Sequence, residues 1–356
     1  MKLRTGKGLR RLIERSKLWK KSVALFLVGT TLSWVISACG GAVSGGDRVE
    51  LTLVSYAVTR AAYEQIIPQF TQQWQAEHDQ DVVIQQSYGG SGSQARAVID
   101  GLEADVVALA LALDTKAIED AGLIEPGWEN EAPNDSIIHR SVATIITREG
   151  NPKNIQGWDD LARDDVSTIT ANPKTSGGAR WNFLVLWGHK TENGGNEEQA
   201  LEFVQQVYQN VPILPRNARE ATDIFYEQGQ GDVLINYENE VLLAQQQGQT
   251  LPFVIPESNI SIDNPIAVVD ANVDRHGTRE VAEAFVRFLY TPEAQRAFAE
   301  VGFRPVDEAI AGEFSEKYPS LSGLFTVQDL GGWDTVQDKF FADGAIFDDI
   351  QANIGR

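Results

Sequence analysis

The sequence predicts an α/β protein of two lobes, each a mainly parallel sheet flanked by helices, with a ligand cleft between them. Three observations carry the prediction. A chain of 356 residues can bury a separate core in each of two compact lobes. From Val49 onward, apolar strand-like runs are followed by small-residue turns and then by amphipathic stretches, the order of a βαβ unit. The small-residue turns fall where strands give way to helices, the edge of an open sheet at which ligands bind.

The elements follow in order. Leu51–Tyr56 is strand-like and leads through Ala57-Val58-Thr59 into a helix from Arg60 to Gln75, with Tyr63, Ile66, Ile67, Phe70 and Trp74 at helical spacing. Thr59 is the expected N-cap, its hydroxyl accepting from a first-turn amide. Asp81–Ser87 forms a second strand and turns through Tyr88–Gly92 into a helix from about Ser93 to Leu102. Ala104–Ala110 is an apolar strand, and Val166–Thr170 leads through Asn172–Gly178 into a helix carrying Trp181, Phe183, Leu184 and Trp187. A further helix runs from near Ala218 to Gln228. Asp232–Tyr237 is a strand, and Glu238 opens the next helix.

Residues 1–38 are of a different character, with nine Lys/Arg and the single acid Glu14. The uncharged run Ser22–Ile36 behind this basic leader reads as an export signal, and it is short of the ~20 residues a spanning helix needs. The run ends Ile36-Ser37-Ala38-Cys39-Gly40, which looks like a lipobox, so Cys39 is the expected lipidation site; ordinary cleavage nearby is the plainer alternative. Residues 39–47 read as a flexible tether. Loss of the leader leaves 21 basic against 49 acidic residues, and even the whole chain carries a formal charge of −20. So acidic a protein lacks the concentrated basic face a nucleic acid requires. One cysteine excludes an internal disulfide and a cysteine-rich metal site.

The turns themselves suggest an anion site. The first amides of a helix have no intrahelical partner and lie at the positive end of its dipole, and glycine lets a ligand reach them. Gly89–Gly92 and Ser176–Gly178 are two such turns, with Thr59 and Ala218 at two further helix starts. No lysine stands where a phosphate-binding loop of the Walker type needs one, and Gly90-Ser91-Gly92 is not continued as a dinucleotide fingerprint. Nor does it complete Gly-x-Ser-x-Gly, because position 93 is serine. His78, His139, His189 and His276 are scattered outside these turns. Catalysis, a metal and a cofactor are therefore not expected.

Taken together, Val54-Ser55-Tyr56 with Thr59-Arg60, Gln86–Gly92, Ile99–Asp105, Gly150–Lys153, Asn172–Asn182 and Gly231–Glu240 resemble the periplasmic sulfate-binding proteins that serve ATP-driven sulfate permeases. The resemblance covers nearly all of the chain from Val49. It implies two α/β lobes joined by a hinge and closing over a dehydrated sulfate, in a monomer that delivers the anion to permease subunits. The implied donors are the Ala57 amide, Ser91, the Ser176 hydroxyl, the Gly177 and Gly178 amides, and the Ala218 amide. The last donor in that family is a tryptophan indole, and Tyr237 stands at its position here. An indole N–H only donates, whereas a phenol donates or accepts, so the change bears on how sulfate is told from a protonated phosphate. Arg60, Arg180 and Arg219 lie in or beside the turns, where they polarise the loops from behind or form ordinary salt bridges. The implied lobes are 48–141 with 268–356, and 142–267. A receptor for thiosulfate or another tetrahedral oxyanion is the near alternative. An exported hydrolase of sulfate or phosphate esters is the distant one, since no nucleophile, base and metal ligands converge.

Overall fold

The computed structural model describes residues 48–355. The expected leader, tether and lipidation site at Cys39 lie outside the described residues. In chain order the strands are β1 (Val49–Tyr56), β2 (Val82–Gly89), β3 (Val106–Ala108), β4 (Ile137–Ser141), β5 (Ala143–Thr147), β6 (Thr168–Ile169), β7 (Val233–Tyr237), β8 (Phe253–Val254), β9 (Ser258–Ile260), β10 (Ile262–Val268), β11 (Arg304–Pro305) and β12 (Gly323–Phe325). The helices that position the site are α1 (Arg60–His78), α2 (Ser91–Ile99), α3 (Ala112–Asp120), α4 (Gly177–Thr191), α5 (Glu197–Gln209), α6 (Ala218–Tyr226) and α7 (Glu238–Gln246).

These strands form a six-stranded sheet in the order β11-β4-β10-β3-β1-β2, a four-stranded sheet in the order β6-β7-β5-β8, and a parallel pair of β12 with β9. Both main sheets are mixed rather than mainly parallel. β1 is parallel to β2 and β3, while β10 runs antiparallel to β3 and β4. In the smaller sheet β6 is parallel to β7, and β5 is antiparallel to β7 and β8. The parallel pairs are those joined through helices. β5 and β10 enter their sheets by a passage from the other one, which imposes no parallel direction.

The chain leaves the larger sheet between Ser141 and Ala143 and is back in it by Ile262. The boundary expected at 267/268 therefore falls inside β10. The final segment, expected on the larger sheet or across both lobes, packs on α4 and also reaches α3. Trp333 meets Trp181 at 4.8 Å, Phe340 and Phe341 each meet Phe183 at 5.4 Å, and Phe340 meets Trp187 at 4.8 Å between ring centroids. Three aromatic rings of this segment meet three of α4, and aromatic rings bury large apolar areas.

Alternation along β1 places Leu51 and Leu53 in one core and Val54 in another, on the opposite face. The buried stripe of α1 is Tyr63, Ile66, Ile67, Phe70 and Trp74, and Phe70 packs against Phe285 at 5.1 Å. Thr59 stands at the N-cap position of α1, as expected, but its side chain caps no first-turn amide. Helical backbone begins earlier, in a 3-10 turn at Ala57–Thr59, and the Thr59 hydroxyl donates to the Tyr56 carbonyl at 2.8 Å. Likewise α2 starts at Ser91, two residues ahead of the expected Ser93. α4 is buried on nearly every side along its first three turns. Among the described residues no helix is long and apolar enough to cross a membrane.

Candidate functional site

Five strand or loop ends deliver five helix starts to one place. β1 ends at Tyr56 and its 3-10 turn opens at Ala57; β2 ends at Gly89 and α2 opens at Ser91; α4, α6 and α7 open at Gly177, Ala218 and Glu238. Ala57, Ser91, Ser176, Gly177, Gly178, Ala218 and Tyr237 all line a single cavity, with Tyr56 and Asn217 beside them. It leaves about 10 Å³ for the centre of a water-sized sphere, room for one compact species. Its lining includes no Lys, Arg, His, Asp or Glu. What it offers instead is the positive ends of helices.

The caps determine which donors are free. Ser176 is the N-cap of α4, and its Oγ accepts from the Ala179 amide at 3.3 Å. Accepting there leaves the hydroxyl hydrogen for another partner, and the Gly177 and Gly178 amides precede the first amide so bonded. Asn217 caps α6 in the same way, its Oδ1 accepting from the Glu220 amide at 2.9 Å, which leaves the Ala218 amide open. Ser91 differs. Its hydroxyl donates to Asp114 Oδ2 at 2.5 Å and accepts from the Ala110 amide at 2.9 Å. With its one hydrogen engaged, Ser91 has only its amide to offer the cavity.

Glycine is required at three of these positions by close approach. A Cβ on Gly90 would lie 2.4 Å from the Thr175 carbonyl oxygen. One on Gly177 would lie 2.5 Å from Leu111 Cδ2 and 2.7 Å from Ala110 Cβ, and one on Gly178 would lie 2.7 Å from Tyr237 Cε2. At Gly90 and Gly177 the neighbours come from the opposite wall, backbone oxygens at Gly90 and the side chains of Leu111 and Ala110 at Gly177. Trp181 Nε1 donates across the same junction to the Ala110 carbonyl at 2.8 Å.

Tyr237 and Tyr56 are both buried, their ring centroids 6.0 Å apart, and neither hydroxyl has a hydrogen-bond partner. Burial, more than any neighbouring charge, pushes both phenols well above their ordinary value. Both stay neutral and able to donate.

None of the three arginines lines the cavity. Arg180 is buried and reaches across the junction, its Nη1 3.2 Å from Asp114 Oδ1 and its Nε donating to the Pro173 carbonyl at 3.0 Å. Arg219 pairs with the buried Glu240 at 2.7 Å, and Glu240 also accepts from the Thr222 hydroxyl at 2.5 Å. Burial raises the Glu240 carboxyl, and Arg219 opposes that rise. Arg60 stacks over the Tyr88 ring at 4.5 Å. The histidines stand apart from the site as well. His139 lies between Phe298 and Phe303 with burial pushing it down to about 3, and His78 stacks on Trp74. His189 and His276 pair with Asp159 and Asp105. Among the described residues no group of three or more His, Cys, Asp or Glu could hold a metal ion.

Sequence reasoning missed Asp114, Ala110 and Tyr56. Asp114 is a single acid in an unremarkable helical stretch, and its role depends on Ser91, 23 positions away. For Tyr56 a signal existed, since it immediately precedes a helix-start residue at the cavity.

Residues 51–304 match the family described as bacterial extracellular solute-binding protein. The chain is 58% identical over 307 residues to the sulfate-binding protein of Synechocystis sp., covering 86% of this chain and 87% of that one. It is 38% identical to the thiosulfate-binding protein of Pseudomonas aeruginosa, covering 88% and 95% respectively. Among solved structures, the sulfate-binding protein of Mycobacterium tuberculosis H37Rv is 39% identical, with a TM-score of 0.76 over 82% of this chain and 99% of that one. Two sheets, a double passage between them and a cavity of helix starts at their junction complete the likeness: the chain belongs to the bacterial extracellular solute-binding protein family and has its two-lobed periplasmic-binding-protein fold.

Proposed function

We propose that the protein is an exported receptor that holds one sulfate in the cavity between its lobes and hands it to an ABC-type permease. The observation that carries this reading is the convergence of unpaired helix-start amides on a small cavity with no charged side chain in its lining. Helix-start amides only donate, which suits an anion that has lost all its hydrogens, as sulfate has near neutral pH, and they offer nothing to the hydroxyl of a protonated anion. The relatives named above for sulfate support the same ligand. Amide dipoles act at contact distance, so they outweigh the −20 of the whole chain, which salt screens beyond ~8 Å.

The donors come from Ala57 and Ser91 on one lobe and from Ser176, Gly177, Gly178, Ala218 and Tyr237 on the other. Each lobe alone offers an incomplete shell, so sulfate favours the closed arrangement through contacts missing when the lobes part. The hinge consists of the passages at 141–143 and 254–262. Arg180 and Arg219 hold the helix starts from behind, Arg180 through Asp114 and the Pro173 carbonyl. The receptor acts as a monomer outside the cytoplasm, tethered by a lipid on Cys39, and it performs no chemistry on its ligand. Thiosulfate is the second reading, favoured by Tyr237, whose phenol is a less restrictive partner than an N–H.

The test is calorimetric titration of protein stripped of anion by unfolding and refolding. One-to-one binding of sulfate without turnover of an aryl sulfate is the expected result. Preference for thiosulfate moves the assignment to the second reading, and folded protein that binds no oxyanion overturns both.

A further inference from the structure

α7 follows β7 of the smaller sheet in sequence, yet it packs on both lobes. Residues four apart share one face of a helix, and Glu238, Leu242 and Gln246 form such a stripe, with Asn239 beside it. All four meet the larger lobe. The Glu238 carboxylate accepts twice from Arg304 of β11, from Nε at 2.7 Å and from Nη2 at 3.0 Å. Leu242 packs against Ala299, Ile310 and Tyr318, and the Gln246 side-chain amide donates to the Glu300 carbonyl. At Gly302 the approach is so close that a Cβ would lie 2.7 Å from Asn239 Cα. The opposite face of α7 belongs to the smaller lobe. There Glu240 is held by Arg219 and Thr222 of α6, and Val241 is buried with Ile146 of β5 and Leu234 of β7.

The helix also stands at a crossing of the chain between lobes. Its first amide, that of Glu238, donates at 3.0 Å to the carbonyl of Val142, the residue between β4 and β5. Arg304 is opposite Arg140 in the ladder of β11 with β4, two positions before that crossing. In a hinge rotation displacement grows with distance from the axis, so contacts beside a crossing move least. The Glu238 and Arg304 side chains are largely buried, and parting them would strand a buried charge.

We propose that α7 is the pivot of the two lobes: both of its faces stay attached while the lobes swing apart, and the Glu238–Arg304 pair is the pin on the larger-lobe side. The inference rests on the closing motion in the reading above and adds the element about which it turns.

The experiment measures distances between paired spin labels in sulfate-free and sulfate-saturated protein. Cys39 is the one cysteine of the chain, so a Cys39→Ser background lets exposed positions be labelled in pairs. Gln245→Cys with Glu308→Cys spans α7 and the larger lobe, and Gln245→Cys with Asp223→Cys spans α7 and the smaller lobe. Asp100→Cys with Asp343→Cys spans the lobes away from α7. Sulfate is expected to shorten this third distance by several ångströms and to leave both α7 distances within about 2 Å. A larger change in either α7 distance overturns the proposal, because α7 then rides with one lobe alone. Glu238→Gln should broaden the 245–308 distances in sulfate-free protein, keep the 245–223 distances, and weaken sulfate several-fold. An unaltered 245–308 distribution in that variant overturns the proposal as well. Should Glu238→Gln not fold, the distances with Glu238 in place decide. A third distance that sulfate leaves unchanged in folded protein overturns the closing motion itself, and the pivot with it.

Discussion

Ser91 and Ser176 are the same residue type, both buried, one on each wall of the cavity at a helix start, and they do different work. Ser176 stands one position before α4, where its oxygen folds back to cap the helix and its hydrogen is released. Ser91 is the first residue inside α2, and its side chain reaches sideways to Ala110 and Asp114. One position along a helix start therefore decides whether a serine's hydrogen stays free for the proposed anion or is spent on holding the wall. The wall on the larger sheet is braced by side chains and offers backbone amides through Ala57 and Ser91. The wall on the smaller sheet offers a free serine hydroxyl as well.

That contrast can be broken or sharpened by substitution. The largest effect is expected at Gly177, where the walls touch. Gly177→Ala places a Cβ against Leu111 and Ala110, and overpacking of about 2–3 kcal/mol should weaken sulfate by roughly 30- to 100-fold in calorimetry, with the circular dichroism of the free protein unchanged. Ser176→Ala comes next. Losing one donor should weaken binding roughly tenfold, and losing the cap should lower unfolding stability by about 1 kcal/mol. Ser91→Ala should show the reverse balance, less than about threefold in affinity but about 1–3 kcal/mol in denaturant-measured stability, because the buried Ala110 amide and Asp114 lose their partner. A tenfold affinity loss there without a stability loss would show that the Ser91 hydroxyl serves the ligand after all.

The smallest effect is expected from pH. The titratable groups in the lining are Tyr56 and Tyr237, both raised by burial. Sulfate affinity should therefore stay flat from mildly acidic solution up to about pH 10. The folded state keeps the phenolic protons that the unfolded chain releases above that value, so stability falls only as pH rises through it. A tenfold change of affinity around neutrality would reveal a titrating group at the site other than these two.

What the sequence reveals and what it hides divide along the same line. Helix starts are written locally: a strand end, small residues and a capping Ser or Asn. The Gly89–Gly92 and Ser176–Gly178 turns and the start at Ala218 could thus be read locally, whereas Ala57 and Tyr237 entered only through the family resemblance. Contacts between distant segments leave no such trace. Nothing in the spacing of residues 91 and 114 announces their hydrogen bond, and nothing around Gly177 names Ala110 as the neighbour that forbids a side chain. Thr59 stood at the expected position, but the cap bond expected of it was misleading for a related reason. Its hydroxyl had a nearer acceptor in the Tyr56 carbonyl, and a 3-10 turn brought the helix start forward to Ala57. The mixed sheets were hidden too, because strand direction in β5 and β10 follows from the passage between lobes, while the strand sequences themselves record only burial.

The packing of the last segment on α4 has a consequence in time. Phe340, Phe341 and Phe347 surround Phe183, and Lys174, two residues before the Ser176 cap, is held by Asp348 at 2.9 Å. During synthesis the helix that presents Ser176, Gly177 and Gly178 lacks these neighbours until residues 340–348 have been made. The proposed grip on an anion therefore waits for a segment more than 150 positions further along the chain.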